Sequence, residues 1–222
     1  MGTLYLVRHG QASFGADDYD CLSALGERQS RRLGEHFKQR GLRFEAALTG
    51  NLQRQQQTLA GISEGLGSRI ETRLWPGLNE YGSDALIATI HPQPLAKPDS
   101  PEMVRQYFRL LRQGLRQWMA GASEPVGMPS YVDFVAGVAG ALDHVRSQHT
   151  GDVLMVSSGG PISNAIGQVL GATPDAVIDL NMRIFNSAVS ELSFSPKRHA
   201  LVSYNTLPHL EQPQYADWIT HA

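Results

Sequence analysis

The chain has 222 residues, 41% hydrophobic and 18% charged, with a formal net charge of -2 and a pI near 6.4. That is long enough to bury a sizeable core, and no whole-molecule basic field draws it to nucleic acid or an anionic membrane. The lone cysteine, Cys21, excludes an intrachain disulfide and a cysteine-built zinc site, no apolar run is long enough to span a bilayer, and Arg8-His9 breaks the apolar start too early for a secretory leader; a cytoplasmic location is expected.

Leu4-Tyr5-Leu6-Val7 ends abruptly in Arg8-His9-Gly10, which predicts a buried strand with polar residues at its C-terminal end. Ser23 is placed to cap a helix over residues 24–40, with Leu33 and Phe37 one turn apart and Gly41 as its stop. Ala46 to Thr49 reads as a second strand, residues 52–65 as a helix with Leu59, Ile62 and Leu66 on one face, and Ile70 to Trp75 as a third strand. Gln53, Gln55, Gln56 and Gln57 read as a solvated face of that helix.

The stretch 82–130 differs in kind, with Pro92, Pro94, Pro98, Pro101, Pro125 and Pro129 around one patterned helix. Ser100 can cap it, and Val104, Phe108, Leu111, Leu115 and Trp118 form its apolar stripe. Arg105, Arg109, Arg112 and Arg116 repeat that spacing one residue on, as a solvated face or as a basic wall of a substrate mouth. The stretch reads as an insertion on a single domain covering residues 1–222.

Regular structure resumes with a helix over 131–148, where Val132, Val135, Leu142 and Val145 are expected inside. Val153 to Val156 is a second clear strand, running into Ser157-Ser158-Gly159-Gly160, and Pro161 opens a helix carrying Ile162, Ile166, Val169 and Leu170. Runs at 187–194 and 200–204 suggest a hairpin, and the tail from Asn205 should be irregular but partly docked. Strands alternating with helices imply an α/β fold with a mainly parallel central sheet and helices on both faces. Ligands bind such sheets at the carboxyl ends of strands, which selects Arg8-His9-Gly10 and Ser157 to Gly160.

An arginine beside a histidine at a strand end pairs an anion clamp with a nucleophile. Arg54, just inside a helix start, supplies a second guanidinium, and Glu80 supplies a carboxylate from a loop. Gly159 and Gly160 aim backbone N–H groups at the same end, and Gln11 is close enough in sequence to touch a bound anion. Together these residues describe a pocket for a dianionic phosphate.

The chain resembles the histidine phosphatase superfamily, the phosphoglycerate mutase-like fold. The resemblance rests on Leu-Val-Arg-His-Gly at 6–10, Leu-Ser-Ala-Leu-Gly-Glu-Arg-Gln at 22–29, Leu-Gln-Arg-Gln-Gln-Gln-Thr at 52–58, Leu-Asn-Glu-Tyr-Gly at 78–82, Val-Ser-Ser-Gly-Gly at 156–160 and Asn-Ser-Ala-Val-Ser at 186–190. It implies a three-layer sandwich and a phosphatase acting on a small phosphomonoester. His9 would form a phosphohistidine, Arg8 and Arg54 would hold the phosphoryl oxygens, and Glu80 would be the general acid and base. No metal or organic cofactor is implied, and the expected partner is a small phosphorylated substrate, with no nucleic acid and no membrane. The chain departs from the family at Ser158, where a second catalytic histidine is expected; a hydroxyl can donate a hydrogen bond but carry no charge. Three outcomes follow: a slowed phosphatase, a phospho-ligand binder without turnover, or a phosphoglycerate mutase-type phosphotransferase. His144 and His149, on the helix before that strand, are not placed to fill the gap, and His199, His209, His221 and Cys21 show no ligand spacing.

Overall fold

The computed structural model describes residues 1–13, 20–93, 95–96 and 100–221, so Pro94 and Pro98 of the insertion lie outside the described residues. Its strands are β1 (Gly2–Arg8), β2 (Phe44–Thr49), β3 (Thr72–Leu74), β4 (Asp152–Ser157), β5 (Val189–Ser195) and β6 (Arg198–Thr206). They form one sheet in the order β3-β2-β4-β1-β5-β6. The β3–β2, β2–β4 and β4–β1 pairs are parallel, and β5 runs antiparallel to both β1 and β6.

The unbroken apolar run in β1 follows from burial on both faces. Tyr5 and Val7 pack on Leu33, Phe37, Leu59 and Ile62 from helices α1 (Ala24–Gln39) and α2 (Gln53–Leu66). Leu4 and Leu6 pack on Val138, Leu142 and Val145 of α5 (Tyr131–Gln148) and on Ile162 and Ile166 of α6 (Gly159–Leu170). Each such side chain contributes about 1.5–3 kcal/mol by leaving water. Ser23 caps α1 as its position suggests, accepting from the Gly26 N–H at 3.1 Å. Only Thr72–Leu74 of the third candidate strand joins the sheet, at its edge.

The insertion holds α3 (Ser83–Ala88) and α4 (Pro101–Met119), with Ser100 capping α4 through the Met103 N–H at 3.3 Å. Leu86, Ile87, Leu111, Leu115 and Trp118 join Phe134 and Ile178 in a third apolar cluster. α4 meets α3 at Gly114, where a Cβ would lie 2.7 Å from the Leu86 carbonyl oxygen. The C-terminal half of α4 is therefore the packed half, and Val104 in its first turn stays 41% exposed.

The arginine stripe lies along an outer face. Arg112 and Arg116 pair with Asp179 and Asp175 at 2.7 and 2.6 Å, tying α4 to a helix not read from the sequence, α7 (Pro174–Asn181). The start signal was present: Thr173 caps that helix, and Pro174 is its first residue. On α5 the buried seam runs through Phe134, Val138, Ala141, Leu142 and Val145, and Val132 falls outside that phase and is exposed. Leu170, the last residue of α6, is exposed as well.

Candidate functional site

β1 and β4 run in a register that sets Arg8 beside Ser157, so the two polar strand ends open side by side at the carboxyl edge of the sheet. The His9 N–H donates to the Ser157 carbonyl oxygen at 2.9 Å, and the Ser187 N–H donates to the His9 carbonyl oxygen at 3.2 Å. α2 starts at the same edge, just past β2, and brings Arg54 in from its first turn.

His9 is buried, and its Nδ1 lies 2.7 Å from the Gly10 carbonyl oxygen. That oxygen can only accept, so Nδ1 carries the ring proton. Nε2 keeps its lone pair and accepts from Arg54 Nε at 3.3 Å. Burial, then the Arg8 and Arg54 charges, hold the imidazole well below the usual histidine range, which leaves it neutral.

Arg54 is aimed by Asp20. Its Nη1 donates to Asp20 Oδ1 at 2.7 Å, and Asp20 Oδ2 accepts from the Gln53 N–H at 2.8 Å, which satisfies an otherwise open donor at the start of α2. Arg8 is held by donation from Nη1 to the Ile184 carbonyl oxygen. Both guanidiniums bear on His9 and on Glu80.

Glu80 accepts from the Gly160 N–H at 3.1 Å and from the Tyr81 N–H at 3.2 Å. Burial raises its carboxyl above the usual range and outweighs the opposing pull of the Gly160 bond and the two arginines. Residue 160 must be glycine for this approach, because a Cβ there would lie 2.2 Å from Glu80 Oε1. Tyr81, next in the chain, is held by Asn181 Nδ2 donating to its hydroxyl oxygen, and burial pushes its phenol well above the usual value.

Ser158 is fully buried at the head of α6, and Gln55 Nε2 donates to its Oγ at 2.8 Å. Gly159 opens the helix, backed by Asn181. Gln11 is engaged elsewhere: its Oε1 accepts from the Ser23 hydroxyl at 2.8 Å, at the cap of α1. The structure thus gathers Arg8, His9, Arg54, Glu80 and Ser158 at one sheet edge, with Gln11 at its rim.

Gln55 corrects the reading of a solvated glutamine face. It is fully buried, because residues 55, 59, 62 and 66 share the inner stripe of α2; Gln53 and Gln56 are exposed. That spacing could have exposed it in the sequence. Asp20 and His209 carried no local signal, and Ser187 lay in the matched stretch 186–190 without being singled out. Ser187 holds a left-handed backbone (φ 57°) while its Oγ lies 2.9 Å from Nε2 of His209, a buried residue arriving from the tail. The tail also docks beside the site. Gln29 Oε1 accepts from the Gln11 N–H at 2.8 Å, and Gln29 Nε2 donates to the Trp218 carbonyl oxygen at 2.6 Å and to Thr220 Oγ1 at 3.1 Å. The Arg28 and Arg32 guanidiniums lie over the rings of Trp218 and Tyr215.

Among the described residues no three His, Cys, Asp or Glu side chains gather as metal ligands, and no helix is long and apolar enough to cross a membrane.

The family model described as "Histidine phosphatase superfamily (branch 1)" matches residues 4–207. A 2,3-bisphosphoglycerate-dependent phosphoglycerate mutase from Allorhizobium ampelinum is 40% identical over 91 residues, covering 36% of this chain and 43% of that protein. The matched stretch is thus less than half the relative's length. Among solved structures, phosphoserine phosphatase from Entamoeba histolytica in complex with 3-phosphoglyceric acid aligns with a TM-score of 0.66 at 20% identity, over 95% of this chain and 100% of that one. Phosphoglycerate mutase from Bacillus anthracis aligns with a TM-score of 0.67 at 16% identity, over 94% of each chain. At such identities these likenesses show a shared fold: the α/β sandwich with its mainly parallel six-stranded sheet.

Proposed function

The chain belongs to the histidine phosphatase superfamily, and from that premise we propose that it hydrolyses a small phosphomonoester through a phosphohistidine on His9. The observation that carries this reading is the unprotonated Nε2 of His9, buried beside the Arg54 guanidinium.

A phosphate dianion entering this edge meets Arg8 and Arg54, whose forked donors suit phosphoryl oxygens. Nε2 attacks phosphorus in line, and the bond from phosphorus to the leaving oxygen breaks. Glu80, whose burial raises its pKa and favours the protonated form, gives its proton to that oxygen. The resulting carboxylate then takes a proton from water, whose oxygen attacks the phosphohistidine and frees His9 with inorganic phosphate. Charge stabilisation comes from side chains, so the steps call for no metal or organic cofactor. The backbone at Gly159 and the side chain of Gln11 would border the bound phosphoryl group, with the insertion and the docked tail shaping the mouth of one domain.

Ser158 stands where the resemblance expects a second histidine. It can add one hydrogen bond and no charge. Losing a hydrogen bond to a charged group costs roughly 1.5–3 kcal/mol, or about 10- to 100-fold in rate, so turnover is slow but real on this reading. Hydrolysis of p-nitrophenyl phosphate, with His9→Ala as control and mass spectrometry locating the phosphoryl label, tests it. Equal rates for the two proteins, or a label on another residue, would overturn it.

The uncharged Ser158 also favours a second reading, a phospho-ligand-binding protein of the same fold; phosphate binding with no label on His9 would select it. The 40% identity to a phosphoglycerate mutase over part of the chain supports a phosphotransferase. Phosphoryl transfer between positions of a phosphoglycerate, outpacing its hydrolysis, would select that one.

A further inference from the structure

One buried amide ties three parts of the site together. Gln55 follows Arg54 on α2, and its Nε2 donates to the Leu78 carbonyl oxygen at 2.9 Å, two residues before Glu80, and to Ser158 Oγ at 2.8 Å. Gln55 and Ser158 are both fully buried. A carbonyl can only accept, so the Leu78 contact fixes which end of the amide is the nitrogen. Its second N–H then takes a lone pair of Ser158 Oγ, and the serine's own hydrogen must go to another partner.

Among the described residues none accepts that hydrogen. The nearby Leu78 carbonyl oxygen already accepts from Gln55 and from Ser157 Oγ, the latter at 2.7 Å. A buried donor left unspent is costly unless a ligand completes it. Ser158 is the N-cap residue of the 12-residue α6, one residue past the end of the strand that pairs with β1, where an anion is favoured.

The geometry points to Gln55 as a positioning residue that commits the Ser158 hydroxyl to donating toward the phosphoryl group. By occupying one lone pair of the oxygen, the amide turns the hydroxyl hydrogen away from Gln55. The inference rests on the reading of this edge as a phosphoryl site, and its test does not require turnover.

The same contact bars a larger side chain. A ring carbon in the place of Ser158 Oγ would lie 2.8 Å from the amide nitrogen, inside the roughly 3.5 Å of an ordinary contact. Histidine at 158 therefore needs a smaller residue at 55.

Affinity for inorganic phosphate, by calorimetry, is compared for the parent, Ser158→Ala, Gln55→Met and the double variant, with Tm recorded for each. Each single change should weaken binding about 10- to 100-fold, the factor for one hydrogen bond to a charged acceptor. The double variant should bind no more weakly than Ser158→Ala. Losses that multiply mark Gln55 as merely structural and overturn the proposal, as does parent-like binding by Gln55→Met. If Gln55→Met does not fold, Gln55→Leu takes its place in the same cycle. Ser158→His alone should lose phosphate affinity and Gln55→Ala/Ser158→His should regain it; a gain from Ser158→His alone also overturns the proposal. A parent that binds phosphate without hydrolysing p-nitrophenyl phosphate sinks the phosphatase reading and leaves this cycle to decide. A parent that binds no phosphate sinks both.

Discussion

Arg54 donates to His9 Nε2 across 3.3 Å, a bond that exists only while that nitrogen is unprotonated. The arginine thus acts on its neighbour before any ligand arrives, through its charge and through the direction of its N–H. Lysine would keep the charge and lose the fork, so Arg54→Lys should lower kcat roughly 10²- to 10³-fold with little change in Tm. Steady-state kinetics on p-nitrophenyl phosphate beside a melting curve would check this, and a Lys variant with parent-like kcat would contradict it.

His9 and Glu80 are shifted in opposite directions. His9 is held well below its usual value and so loses its proton early as pH rises; Glu80 is raised and keeps its proton longer. On the proposed mechanism activity needs the first deprotonated and the second protonated, so kcat/KM should rise as pH climbs through the lowered His9 value and fall as it climbs through the raised Glu80 value. In Glu80→Gln that alkaline fall should disappear along with most of the rate. A parent profile whose alkaline limb is unchanged in Glu80→Gln would remove Glu80 from the acid role.

His209 makes stability depend on pH. Burial, with His36 and Arg32 nearby, lowers its folded value to about 3, and its Nδ1 is buried without a partner. An unfolded histidine takes up a proton near pH 6.5, so between these values the unfolded chain binds more protons than the folded one. Stability is complete above about pH 6.5 and is lost as pH falls below it, by ~1.4 kcal/mol per pH unit for this group. His9 is shifted the same way and adds to the slope. Tm measured from pH 7.5 to 5 should fall more steeply in the parent than in His209→Asn; parallel curves would show that His209 does not control the slope.

Gly160→Ala puts a methyl group 2.2 Å from Glu80 Oε1 and 2.5 Å from the Tyr81 ring. Glu80 must then leave the α6 N-terminus, losing the Gly160 bond and, on the proposed mechanism, its aim at the leaving oxygen. A drop in kcat of about 10²-fold is expected, the scale of one general acid, with KM nearly unchanged. A variant that turned over like the parent would show that Glu80 acts from some other position.

Much of the fold was legible because its signals are local. The apolar run before Arg8, the second run before Ser157, and the serines at 23 and 100 each report on the next few residues, and the strands and caps formed there. α7 escaped because it is only eight residues long and its Thr173-Pro174 start is brief. At the site, the residues that stand at strand and helix ends were readable. Those that brace them were not. Asp20 reaches Arg54 across 34 positions, Gln55 reaches Ser158 across 103, and Ser187 meets His209 from a separate strand end. Nothing in the neighbourhood of a residue announces such a partner; the sheet order creates it.

That order also has a cost during synthesis. β1 lies between β4 and β5, so Leu4 pairs with Val153 on one side and Leu192 on the other. At 5–20 residues per second, the apolar segment ahead of His9 leaves the ribosome on the order of ten seconds or more before either neighbouring strand exists. Through that interval it is an unpaired, sticky strand, a natural client for a chaperone that shields hydrophobic segments. His9 enters its working environment only when the late strands close around it, so regained activity would time the final step of refolding.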